Sequence, residues 1–116
     1  NDLQNQLNNI KMIFSTDGAF AALTSDGNVV NWGDESYGGD ATEDQYQLNN
    51  IKMIFSTDHA FAALTIGGNV VTWGNQNNGG DSTAVQDQLK NIKMIFSTDR
   101  AFAALTTDGK VVTWGN

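Results

Sequence analysis

The chain repeats itself every 41 residues, and no other feature limits its fold so severely. Ile10, Ile51 and Ile92 keep that spacing, as do Trp32, Trp73 and Trp114. The units are residues 6–46, 47–87 and a shorter 88–116, each opening QLNNIKMIFSTD or QLKNIKMIFSTD. The first two are identical at 29 of 41 positions. Differences among the three units gather at Gly18/His59/Arg100, Ser25/Ile66/Thr107, Asp26/Gly67/Asp108, Asn28/Asn69/Lys110 and the stretch beginning Asp34 or Asn75, while the apolar segments hardly vary. A core copied three times with altered turns is the pattern of stacked repeats.

Within the second unit, Ile51 to Ser56, Phe61 to Thr65 and Val70 to Trp73 are short runs rich in β-branched and aromatic residues, bounded by Gly, Asp and Asn. They predict three strands, and no segment carries a helical period. Asp26-Gly27, Gly67-Gly68 and Asp108-Gly109 predict tight two-residue hairpins of the type I′ kind between the second and third strands. Strict alternation would set Ile51, Met53 and Phe55 on one face and Lys52, Ile54 and Ser56 on the other. Ala60 to Leu64 is apolar on both faces, so that strand must be covered on both sides by stacked sheets. The polar connection Asn75 to Asp87 is long enough for a fourth, outer strand.

A unit of about 40 residues with three or four antiparallel strands and a terminal Trp-Gly predicts an all-β fold of propeller blades. The order NIKMIFSTDHAFAALTIGGNVVTWGNQNNGGD resembles the regulator of chromosome condensation repeat. It is most similar to the short bacterial blades of that group, as in the propeller that inhibits β-lactamases. The resemblance covers all three units and rests on Ala-Leu-Thr, Asp-Gly, Val-Val and Trp-Gly at the right spacing. It departs from the family at Ser56-Thr57, where a small pair is usual, and at Ala60, where a histidine is usual. Neither departure breaks the blade, but together they argue against carrying over a family-specific partner such as a small GTPase.

At 116 residues the chain is a single repeat domain, and closed propellers use about four to eight blades. Three blades therefore predict part of a larger ring or array: adjacent repeats of a longer chain, or copies joined head to tail into a ring or filament. Two copies would make a six-bladed ring. The third unit is 12 residues short of a full period, and these would fall in the polar connection. Charge is arranged to suit head-to-tail contact. Residues 1–46 carry eight acids and one lysine, whereas residues 88–116 carry two acids, three lysines and Arg100.

The net charge of −7 has the wrong sign for nucleic acid or an anionic membrane surface. No apolar run is long enough to span a bilayer, and the polar start (Asn1, Asp2, Gln4, Asn5) does not read as a signal peptide. Absent cysteine removes disulfides, thiolate metal sites and thiol nucleophiles. Acidic, cysteine-free, Asn- and Thr-rich repeats resemble secreted or surface proteins of bacteria, so an extracellular or cell-surface location is expected.

Catalysis finds no set of residues to carry it. Ser-Thr-Asp recurs at Ser15, Ser56 and Ser97, but one histidine, His59, cannot serve three triads. Those hydroxyls and carboxylates are expected to shape the turn between the first two strands. Gly38-Gly39-Asp40 and Gly79-Gly80-Asp81, with Glu43 and Asp44, faintly resemble calcium repeats but supply too few oxygens. Asp34, Glu35 and Asp40 could be paired for glycoside chemistry, yet nothing raises one of them to an acid. No metal site and no cofactor is expected. The tryptophans and their following glycines, Gly33, Gly74 and Gly115, are assigned to structure, with the indoles in core or inter-blade packing rather than as sugar platforms. The expected role is a noncatalytic interaction or scaffold module that self-associates or sits in a longer array. The alternative is a protein-binding propeller, such as an enzyme inhibitor, that uses the variable turn of Gly18, His59 and Arg100.

Overall fold

The computed structural model describes residues 9–34, 50–75 and 81–115. Each repeat folds as one three-stranded antiparallel sheet with its strands in chain order. The first holds β1 (Ile10–Ser15), β2 (Ala19–Thr24) and β3 (Val29–Gly33). The second holds β4 (Ile51–Ser56), β5 (Ala60–Thr65) and β6 (Val70–Gly74), and the third β7 (Ile92–Ser97), β8 (Ala101–Thr106) and β9 (Val111–Gly115). The three sheets share one register: Phe20, Phe61 and Phe102 lie opposite Trp32, Trp73 and Trp114. In each pair the rings stack at 5.4 Å.

Stacking of the sheets makes the core. Ala60 to Leu64 are all at most 2% exposed, as expected of a strand covered on both faces. The two faces of the middle sheet enter two different cores. Ile54, Phe61, Ala63, Val71 and Trp73 join Ala21, Leu23 and Val29 of the first blade. Ala60, Ala62, Leu64 and Val70 join Ile95, Phe102, Val112 and Trp114 of the third. Each junction thus presses the Phe-Trp face of one blade onto the Ala-Leu-Val face of the blade before it.

Two local expectations are corrected. The first strand does not alternate strictly: its register shifts between Ile51 and Met53, and likewise between Ile10 and Met12 and between Ile92 and Met94. This bulge puts Ile51 and Ile54 into the same core and sends Phe55 to the opposite one. The hairpins are three-residue loops. Thr24 N–H bonds to Asn28 O and Gly27 N–H to Thr24 O, with Gly27 at φ 85° and Asp26 outside the positive-φ region that a type I′ turn demands. Between β6 and β7 the described part of the connection holds a 3-10 helix, Thr83–Gln88, and the rest of the stretch expected to hold a fourth strand, residues 76–80, lies outside the described residues. It is tied to the edge of β6: Ser82 Oγ lies 3.0 Å from Thr72 Oγ1, and Gln86 Nε2 donates to Val70 O at 3.2 Å. A side-chain amide thereby satisfies a carbonyl on the edge strand of the sheet.

Candidate functional site

The variable turn lies at one end of each blade, between its first and second strands. Its shape comes from Thr57, whose N–H bonds to Ala60 O at 2.9 Å and whose Oγ1 accepts from His59 N–H at 3.4 Å; Thr98 does the same before Arg100. These contacts match the turn-shaping role expected of the Ser-Thr-Asp segment. The carbonyl of Gly18 then accepts from Asp34 N–H, and that of His59 from Asn75 N–H, both at 2.9 Å. The backbone at this position makes the contact, and the residue type there changes from Gly18 to His59 to Arg100 without altering it. Arg100 is exposed and His59 half-buried.

The turns are also joined to one another. Asp17 N–H donates to Asp58 O and Asp58 N–H to Asp99 O, each at 2.9 Å, so Gly18, His59 and Arg100 follow one another along a single rim. At the opposite end of the strands, Ile51 N–H donates to Gly27 O and Ile92 N–H to Gly68 O, each at 2.8 Å. Every junction is therefore fastened at both ends of the blade.

Trp-Gly closes each blade at the rim. Gly33, Gly74 and Gly115 hold φ of 115°, 112° and 108°, and a Cβ on Gly74 would stand 2.7 Å from Ala60 Cα and 2.8 Å from His59 O. Only glycine fits. The indoles go into the junctions: Trp73 is buried in the first core and Trp114 in the second, while Trp32, with no described blade before it, is half-buried.

Asn9, Asn50 and Asn91 escape a motif search, yet all three adopt the left-handed conformation, at φ 58°, 55° and 54°. Their carbonyls accept from Ser25, Ile66 and Thr107 N–H, which docks the hairpin onto the start of the first strand. Asparagine tolerates this conformation better than other non-glycine residues. The signal was present: of the Asn-Asn pair opening each repeat, the first becomes Lys90 in the third copy and the second never changes.

In the third blade Asp108 accepts a hydrogen bond from Thr106 Oγ1, and this bond, with nearby Lys110, holds its carboxyl below the usual range. Among the described residues no three His, Asp or Glu side chains gather as a metal site. Asp34 and Asp81 are exposed; Glu35, the glycine pairs, Asp40, Glu43 and Asp44 lie outside the described residues.

Two apolar faces complete the geometry. On the first blade Ile13 is 57% exposed and Phe20 45%, although Ile54, Phe61 and their third-blade equivalents are at most 1% exposed. On the third blade Phe96 is 59% and Val111 62% exposed, where Val29 and Val70 are 2%. These are the two halves of a junction, found separately at the two ends of the stack.

Among solved structures, the chain is similar to Prp20p from Saccharomyces cerevisiae, studied with its binding to Gsp1p and histones, at TM-score 0.67 and 24% identity over 92% of this chain. It is similar also to human WBSCR16, at TM-score 0.63 and 19% identity over 92%. A further structure of yeast RCC1 (Prp20), bound to Kap60, matches equally well in fold. The fold is that of RCC1-type propeller blades. The chain is similar as well to the ectodomain of the Physcomitrella patens receptor kinase CR4, at TM-score 0.61 and 15% identity over 90% of this chain. The chain spans about a third of the length of these structures: 31% of Prp20p, 34% of WBSCR16 and 29% of CR4. No protein-family model and no curated protein matches the sequence. Among the described residues no helix is long and apolar enough to cross a membrane.

Proposed function

We propose that this chain is a noncatalytic interaction module of RCC1-type blades, which works by packing its two end faces against further blades of the same kind and so builds a ring or scaffold array. The observation that carries this reading is the pair of end faces. Ile13 and Phe20 at one end, and Phe96 and Val111 at the other, stand in water at positions that are dry at both internal junctions. Apolar patches of this kind mark interaction surfaces. Light scattering on the folded 116-residue chain is expected to give a multiple of its 12.5 kDa mass. A stable, fully folded species at the mass of one chain would overturn the proposal.

A second reading has its own support, the alignment of Gly18, His59 and Arg100 along one rim, where the residue type changes from blade to blade while the backbone contacts repeat. Such a rim is suited to holding a protein partner on a rigid frame. Binding of partners by Prp20p is consistent with it as an analogy of fold. If the rim is used, His59→Ala with Arg100→Ala is expected to weaken a captured partner at least tenfold while leaving the unfolding midpoint within about 2 °C. Unchanged affinity would set this reading aside.

A further inference from the structure

From the same end faces, and resting on the reading above, we infer that a second copy of this chain seats its first blade on the third blade of its neighbour in the register of the internal junctions, held by two backbone hydrogen bonds that each end presents half-made.

The internal junctions define the seat. Each is fastened by a bond from an Asp N–H to the next blade's Asp carbonyl, and by a bond from the next blade's Ile N–H to a hairpin glycine carbonyl. At the ends of the stack only halves remain among the described residues. The third blade offers Asp99 N–H and Gly109 O, and the first offers Asp17 O and Ile10 N–H. Donor faces acceptor at both points when the first blade follows the third, whereas two third blades meeting face to face with their rims aligned set donor against donor and acceptor against acceptor.

Space agrees with the bonds. A Cβ on Gly27 or Gly68 would stand 3.3 or 3.2 Å from the Cα of Asn50 or Asn91 of the next blade, whereas one on Gly109 meets nothing within 4 Å. That opening is the seat for Asn9. Conformation agrees too. Asn9 holds φ 58° with no described blade before it, as Asn50 and Asn91 hold 55° and 54°, and Gly109 at 90° matches Gly27 at 85° and Gly68 at 86°. Both ends are already in their junction geometry, so ordering costs little on contact. Side chains complete the fit: Phe96, Leu105 and Val111 repeat the surface that Ile54, Phe61 and Trp73 meet in the first core. Net charges of −7 on residues 1–46 and +2 on residues 88–116 orient the approach and are screened by salt.

The absence of cysteine makes the register directly measurable. Asp17 and Asp99 both lie on exposed turns, and one whole blade separates them within a chain. Asp17→Cys and Asp99→Cys chains are prepared separately and treated with a short bis-maleimide. The spacer is the one that closes the intrachain control Asp17→Cys/Asp58→Cys, whose backbones already touch. Cross-linked dimer is expected only when the two variants are mixed, and its yield should fall at high salt. Cross-linking of Asp99→Cys with itself would overturn the register in favour of a face-to-face pair. No cross-link in the mixture, with light scattering still above one chain mass, would also overturn the register while leaving self-association standing. A one-chain mass for the unmodified protein would remove both.

Discussion

Phe61→Ala is expected to destabilise the fold by about 3–5 kcal/mol, measured as the loss in free energy of denaturant unfolding. Phe61 is 0% exposed, stacks on Trp73 and lies in the core shared by the first two blades, so truncation leaves a cavity between sheets that cannot close independently. The repeat supplies its own control. Phe20 has the same neighbours within its sheet and the same 5.4 Å stack on Trp32, but its outer side is 45% exposed. In a dilute single chain, Phe20→Ala should therefore cost only about half as much, in proportion to the apolar area withdrawn from water. Once end faces meet, the two costs should converge as protein concentration rises, because cover on Phe20 then comes by mass action. Equal costs at every concentration would contradict the partition of faces described above.

Gly74→Ala is expected to cost about 3 kcal/mol or more, and to lower the thermal midpoint by about 10 °C or more. Two effects combine. At φ 112° an L residue is strained wherever it stands, and the new methyl would press on Ala60 Cα and the His59 carbonyl, both backbone atoms that cannot swing aside. Relief would require lifting Trp73 from its core or breaking the Asn75 N–H to His59 O bond that closes the rim. Gly67→Ala is the comparison: its Cβ would meet only Thr65 Oγ1, at 3.9 Å, with no positive φ, and the change should be nearly neutral. A small effect at Gly74 would mean that the rim is looser than its geometry indicates.

The parts of the fold that could be read from the chain are those repeated in register. Three blades, their strands and the burial of Ala60 to Leu64 follow from segments whose composition admits one arrangement. What escaped reading depended on single residues out of phase. The bulge after Ile51 cannot be seen in a two-residue alternation, although Ile51 and Ile54, an odd number of residues apart, hinted at it. A two-residue and a three-residue hairpin both place Gly27 in the left-handed region, and what separates them is the pairing of Thr24 with Asn28, reinforced by Asn28 N–H donating to Thr24 Oγ1 at 3.0 Å. The 3-10 helix Thr83–Gln88 went unread because Ser82 and Gln86 bond to each other and to the edge of β6, a long-range match that local propensity does not encode. At the candidate site the variation at Gly18, His59 and Arg100 was visible, but their alignment was not, since it comes from the bonds joining Asp17, Asp58 and Asp99.

The sameness of the junctions has a cost during folding. A newly made blade meets the same welcome from its own neighbour as from the corresponding blade of any other molecule, because Gly27 and Gly68 offer indistinguishable docking points. Only the short tether between successive blades favours the correct match, by raising its local concentration. Refolding from denaturant should thus become less faithful as the solution is made more crowded with this chain, entangled products increasing with concentration as in other arrays of near-identical modules.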